Sequence, residues 1–133
     1  MVRIVTSESI PQDPYAVTLA ALTQAPPHQR HAVKNLLPFS FTLPRLKELP
    51  LPESKYYTVK DSEQAGLTCV IYSSGKRTFQ VYRRLGGGGA PVRVTLGAVG
   101  DLPMKALKDK PSVRGMAAEI IAQIRAGTDP NLV

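Results

Sequence analysis

The sequence predicts an α+β domain in which a three-stranded antiparallel sheet packs against a C-terminal α-helix. Residues 66–97 hold three short segments of β-branched or alternating apolar and polar character, separated by turn-forming clusters, which is typical of a β-meander. Residues 113–124 then place apolar side chains at helical spacing. Because a three-stranded sheet is only marginally stable alone, such a helix supplies the burial that the sheet lacks.

The three predicted strands follow one another closely. The first, 67–72, is β-branched and aromatic, and it ends at the turn-forming run Ser73-Ser74-Gly75. The second, 77–85, alternates apolar with polar side chains until four glycines, Gly86 to Gly89, break the pattern. The third, 92–96, sets apolar residues against Arg93 and Thr95.

The predicted helix spans about 112–126. Ser112 follows a proline and can cap the free backbone N–H groups, while Gly127 is a natural end. The apolar stripe at helical spacing comprises Val113, Met116, Ala117, Ile120 and Ile124.

The segments before the sheet are less regular. Residues 1–40 are rich in proline and lose any lasting apolar period, so they are predicted to be a partly disordered extension that is dispensable for folding, with a packed subdomain as the alternative. Within it, short helices are predicted near 14–22 and 31–37. Prolines limit a helix in 41–52 to one or two turns, which we expect to pack across the edge of the domain. Tyr57 and Val59 leave open a further short strand beside the sheet.

Composition narrows the function classes. The 133 residues include 17 Lys and Arg against 10 Asp and Glu, a formal net charge of +7, and the pI is about 9.8. This balance is typical of a domain that meets nucleic acid or an anionic surface. The chain lacks an apolar run that could span a bilayer and has no secretory signal pattern, so no membrane partner is expected and a cytoplasmic location is predicted. The single cysteine, Cys69, excludes an internal disulfide and is expected to be a small buried residue.

The candidate binding surface is the polar face of the predicted sheet. No acidic residue lies between Gln64 and Gly100, whereas several Lys and Arg residues do. Alternation assigns most of the candidates to one face, and Lys76 and Arg77 are placed at the turn, where they would contact phosphate. The predicted DNA-contacting residues are Thr68, Tyr72, Lys76, Arg77, Thr78, Gln80, Tyr82, Arg84, Arg93 and Thr95. For these residues a solvated sheet face is the alternative interpretation.

Other chemistry finds little support in the sequence. His28 and His31 have no Cys or carboxylate neighbours to complete a metal site, and the glycine run lacks the following Lys-Ser/Thr and helix of a phosphate loop. No catalytic constellation is recognisable, so no cofactor is expected and the chain is predicted not to be an enzyme.

The ordered motifs resemble those of one family. They are Tyr57-Thr-Val-Lys-Asp61, Gly66-Leu67, Ser74-Gly75-Lys76, Phe79, Arg84-Leu85, Val94-Thr-Leu-Gly97 and the closing Ile124-Arg-Ala-Gly-Thr-Asp-Pro130. Together they are similar to the N-terminal arm-type DNA-binding domain of phage-like tyrosine recombinases (integrases). This chain departs from the family at Val70, because the family commonly has a basic residue at that position.

The resemblance implies a domain plan and a function. Residues 41–130 would be the arm-type DNA-binding domain, and 131–133 would begin a linker to a separate catalytic domain. The polar sheet face would enter the major groove of double-stranded DNA at arm-type sites and position the recombinase for DNA integration or excision in a bacterial cell, beside other recombinase protomers. The fragment alone would cleave no DNA. A protein-interaction module for an acidic partner is the alternative hypothesis, and an RNA-binding sheet is disfavoured because adjacent stacking aromatics are not evident.

Overall fold

The fold is α+β, with an antiparallel sheet and a C-terminal helix. The computed structural model describes residues 13–34, 36–84, 90–127 and 131. The elements in chain order are α1 (Pro14–Gln24), a 3-10 helix (Pro27–Ala32), α2 (Leu43–Glu48), β1 (Tyr56–Lys60), β2 (Leu67–Tyr72), β3 (Arg77–Arg84), β4 (Pro91–Ala98) and α3 (Val113–Arg125).

The sheet has four strands in the order β1-β2-β3-β4, each antiparallel to its neighbour. The prediction of three strands is therefore corrected, because the sheet has a fourth strand, β1, at its edge. β1 pairs with β2 along its whole length, and Tyr57 and Val59 point into the core, where both are buried. The predicted strand at 77–85 ends at Arg84 as described, because Leu85 and the run from Gly86 to Gly89 lie outside the described residues.

The β3–β4 pairing contains one irregularity. Phe79 lies opposite Gly97, whereas the next residue, Gln80, lies opposite Thr95, so Leu96 is the extra residue of a bulge. A bulge keeps the side chains that follow it on their proper faces while it bends the strand. Gly97 also leaves room for Leu102, whose side chain would lie 3.2 Å from an added Cβ.

α3 packs on β3 and β4 and closes the core. The Ser112 hydroxyl accepts a hydrogen bond from the Gly115 backbone N–H at 3.0 Å, as predicted for an N-cap. The buried stripe of the helix comprises Val113, Ala117, Ile121 and Ile124, whereas the predicted Ile120 is only partly buried.

The described part of the N-terminal extension packs into the same core, which corrects the prediction that it buries little. Tyr15 and Leu22 of α1 belong to the core cluster, and the Tyr15 ring lies 5.1 Å from that of Phe39. The Tyr15 hydroxyl donates a hydrogen bond to the Glu48 carboxylate of α2. Burial, followed by this hydrogen bond, raises the pKa of Tyr15 above its usual range. Residues 13–34 are thus joined to the domain by side-chain contacts with residues that are distant in the sequence.

An ion pair ties α3 to the end of β1. The Asp61 carboxylate is buried and accepts hydrogen bonds from the Phe41 backbone N–H and from the Arg114 guanidinium, with Nε at 2.8 Å. The Asp61 hydrogen bond raises the pKa of Arg114 above its ordinary value. Arg114 also donates to the Phe41 carbonyl oxygen at 3.0 Å. This arrangement fixes the helix over one face of the sheet.

Candidate nucleic-acid interface

The sheet face turned away from α3 carries most of the predicted contact residues. The register aligns its side chains in rows across the strands: Tyr56 with Tyr72; Thr58 with Val70, Thr78 and Ala98; Lys60 with Thr68, Gln80 and Thr95; Tyr82 with Arg93; and Arg84 with Pro91. The period of two in each strand produces this arrangement, because alternate side chains point to opposite faces. We call this surface the open face.

Accessibility separates the predicted contact residues of the open face into three groups. Tyr82, Arg84, Arg93 and Thr95 are exposed, and Tyr72 and Gln80 are half-buried. The predicted contact residues Thr68 and Thr78 are instead buried, each only 5% exposed.

Their hydroxyls are also poorly placed for a ligand. Thr68 Oγ1 donates a hydrogen bond to the Gln80 carbonyl oxygen at 3.0 Å. Thr78 Oγ1 is buried without a hydrogen-bond partner among the described residues. These two threonines form the floor of the open face, and the taller side chains around them are the ones that can meet a ligand.

Arg77 is not part of the open face. It lies on the same side of β3 as Phe79 and Val81, and its guanidinium donates hydrogen bonds to the backbone carbonyl oxygens of Lys47 and Leu49 at 3.1 and 2.9 Å. A third bond reaches the Gly75 carbonyl at 3.1 Å. The Arg77 guanidinium therefore binds the C-terminal end of α2. The prediction that Arg77 contacts phosphate is corrected. Lys76, in the adjacent turn, is exposed as expected.

The structure adds three residues to the face that the sequence analysis did not propose. Tyr56 and Lys60 are exposed and Thr58 is half-buried, all on β1. The alternation in Tyr56–Lys60, with Tyr57 and Val59 facing the core, is the signal that would have found them. Lys60 and Arg93, with Thr68, Gln80 and Tyr82 between them, surround a shallow depression near the middle of the face.

The charge of the open face is uniformly positive. None of the four strands contains Asp or Glu. Among the described residues, the ion pairs involve only Arg45 and Arg114 as cations, so Lys60, Arg84 and Arg93 have no acidic partner there.

Two contacts order the polar side chains. The Arg93 guanidinium lies over the Tyr82 ring, 5.0 Å from its centroid. Gln80 Nε2 approaches Thr95 Oγ1 at 3.5 Å. A guanidinium held on an aromatic ring loses less side-chain freedom on binding than a free one, which favours a directed contact to an anion or a base edge.

Metal and membrane chemistry find no support in the described ranges. His28 and His31 lie in the 3-10 helix, and no group of three or more His, Cys, Asp or Glu side chains gathers within residues 13–34, 36–84, 90–127 and 131. No helix in these ranges is long and apolar enough to cross a bilayer.

Comparison with known proteins gives no relative. No protein-family model matches the chain, and neither a curated protein nor a solved structure is significantly similar to it.

Proposed function

We propose that this chain is a double-stranded DNA-binding module that places its open face in the major groove. The observation that carries the proposal is the open face itself, where exposed cations and hydrogen-bonding side chains lie on four strands without any acidic residue. Phosphate attraction supplies most of the affinity of such surfaces, and side chains above the base edges supply sequence discrimination.

The dimensions of the sheet support this placement. Neighbouring strands are about 4.8 Å apart, so the backbones of the outer strands β1 and β4 are separated by three spacings, or roughly 14 Å. The major groove is about 12 Å wide. Lys60 on outer strand β1 therefore suits a phosphate wall of the groove. Gln80 and Arg84 on inner strand β3, and Arg93, whose guanidinium lies over the Tyr82 ring of that strand, suit the base edges.

The wider biological role is also a proposal. The motif resemblance to arm-type domains of phage-like tyrosine recombinases supports a module that attaches to arm-type sites and positions a linked recombinase for DNA integration or excision. The module itself would not cleave DNA, because the chemistry of that family belongs to a separate domain.

Fluorescence anisotropy with a labelled duplex tests the proposal. From 50 to 200 mM salt, log affinity should fall linearly with log salt concentration, with a slope of about 0.9 per phosphate neutralised. Arg93→Ala and Arg84→Ala should weaken binding to a selected duplex, each by roughly 1–3 kcal/mol if the arginine forks onto a guanine. Lys76→Ala should instead weaken binding to all duplexes about equally and reduce the slope by about one.

Arg125→Ala is the matched control. Arg125 is an exposed arginine on α3, so its loss removes the same charge from the opposite side of the sheet. If Arg125→Ala weakened binding as much as Arg93→Ala, the open face would not be the contact surface. Binding to an acidic polypeptide with no binding to duplex DNA at 50 mM salt would favour the protein-interaction hypothesis instead.

A further inference from the structure

The open face is chemically divided along its strands. Its cations, Lys60, Arg84 and Arg93, lie in the rows nearer the β1–β2 and β3–β4 connections. At the opposite end, beside the β2–β3 turn, the face carries the Tyr56 and Tyr72 side chains. The same surface therefore offers two different kinds of contact.

The aromatic end is a defined pair of rings. Tyr56 and Tyr72 are directly opposite in the register of β1 and β2, and their ring centroids are 5.8 Å apart at an interplanar angle of 50°. Tyr56 is 45% exposed, so a ligand can reach the pair. Tyr72 lies on an inner strand with Tyr56 packed against its ring.

The row beside the pair contains no charge. It consists of Thr58, Val70, Thr78 and Ala98, and Val70 is 2% exposed. Lys55, which precedes Tyr56, and Lys76, in the β2–β3 turn, lie just outside strands β1 and β3. An uncharged aromatic patch with lysines at its margin suits an apolar group that is flanked by phosphates.

We propose, on the basis of the DNA-binding role above, that Tyr72, supported by Tyr56, reads the C5-methyl group of a thymine in the major groove. Base edges in that groove present hydrogen-bond donors, acceptors and one apolar group, which is this methyl. A tyrosine ring edge offers apolar surface to it. At the cationic end the Tyr82 ring is instead covered on one side by the Arg93 guanidinium.

The spacing of the two ends defines the recognised site further. Four residues along β2 separate Tyr72 from Thr68, the row that also holds Lys60 and Gln80. At about 3.3 Å per residue this is roughly 13 Å, which corresponds to at most about four base-pair steps of 3.4 Å along the helix axis. With the strands along the groove, which is inclined to that axis, the site has a thymine within about four base pairs of the bases that Gln80 contacts, for which adenine is the favoured partner of a glutamine side chain.

Selection from a randomised 20-base-pair duplex library with the full chain tests this inference. The selected duplexes should share a thymine, and replacing each thymine in turn by deoxyuridine, which lacks only the methyl, should identify one position where affinity falls about fourfold. In Tyr72→Ser, which offers no methyl group in place of the ring, that deoxyuridine effect should fall to nearly one. Tyr56→Ser, which removes the ring that supports Tyr72, should reduce the effect as well. Lys60→Ala should weaken binding to both duplexes equally and keep the fourfold ratio.

The outcomes distinguish the inference from the proposed function. Selected duplexes that tolerate deoxyuridine at every thymine would overturn the methyl readout while DNA binding stood. A fourfold ratio that persisted in both folded tyrosine variants would place the methyl contact elsewhere and also overturn it. Failure to select any duplex at 50 mM salt would overturn the proposed function and the inference together.

Discussion

Replacement of Asp61 by alanine should destabilise the domain more than any comparable change of a surface acid. The Asp61 side chain is fully buried, and its carboxylate accepts hydrogen bonds from Arg114 Nε at 2.8 Å, from Arg114 Nη2 at 3.2 Å and from the Phe41 backbone N–H at 3.1 Å. Alanine would leave a guanidinium that is only 24% exposed without its main counter-charge. Removal of one partner from a buried pair costs about 3–5 kcal/mol.

The lower end of that range applies here, because Arg114 keeps the Phe41 carbonyl at 3.0 Å and Glu63 at 3.4 Å. We therefore expect a loss of about 3 kcal/mol in the free energy of unfolding, measured by urea titration with circular dichroism. Glu63→Ala is the matched control, since the Glu63 side chain is 56% exposed and such pairs contribute under about 1 kcal/mol. Equal losses in the two variants would refute the account of Asp61 as the buried anchor of α3.

Three further changes test the packing. Leu22→Ala should lower the free energy of unfolding by about 2–5 kcal/mol in the same urea titration, because the Leu22 side chain is fully buried. An unchanged free energy of unfolding would mean that α1 is dispensable for folding. Gly66→Ala should cost about 1–3 kcal/mol more than Gly100→Ala. Both glycines have positive φ, +93° and +101°, but a Cβ at Gly66 would lie 2.9 Å from Ile121 Cδ1, whereas one at Gly100 meets nothing within 4 Å. Equal costs would show that the β1–β2 connection adjusts freely. Burial raises the pKa of the Cys69 thiol from 9.0 to about 12, so its contribution to stability is full below pH 9 and is lost as pH rises towards 12. The urea midpoint of the native chain should therefore fall more steeply above pH 9 than that of Cys69→Ala, and parallel curves would contradict this.

Periodicity predicts the parts of this fold whose partners are close in sequence. Strands β2 and β3 and helix α3 repeat their apolar residues often enough to be recognised. β1 has only five residues and is at the sheet edge, so Tyr57 and Val59 are its whole apolar signal. The burial of α1 depends on Tyr15 meeting Phe39 and Glu48, contacts that no local pattern encodes. The proline-rich composition of 1–40 therefore suggested disorder, whereas α1 within its described part has partners that are distant in the sequence.

On the open face, the orientation of the side chains could be predicted from the sequence, but their depth could not. Alternation places side chains on the correct face, but it does not tell how far each one projects beyond its neighbours, and Thr68 and Thr78 are covered on the two inner strands. The prediction for Arg77 was wrong for a different reason. Strict alternation groups it with Phe79 on the helix side, whereas its position beside the turn suggested a phosphate contact. The backbone carbonyls of Lys47 and Leu49 that bind it come from a distant helix.

The distribution of acids explains how a domain of this size can keep a cationic surface free. The described ion pairs use Asp13, Asp61 and Glu63, and their partners Arg45 and Arg114 lie on helices, where these pairs join elements of the fold. An acid on the open face would bring similar Coulomb stabilisation there, but it would also neutralise the attraction to phosphate. Several like charges on one face lower the stability of the free domain, a cost that binding to an anionic ligand offsets. Among the described residues, arginines paired with acids lie on the helices and cations without an acidic partner lie on the strands. This separation is what we expect of a surface that meets DNA.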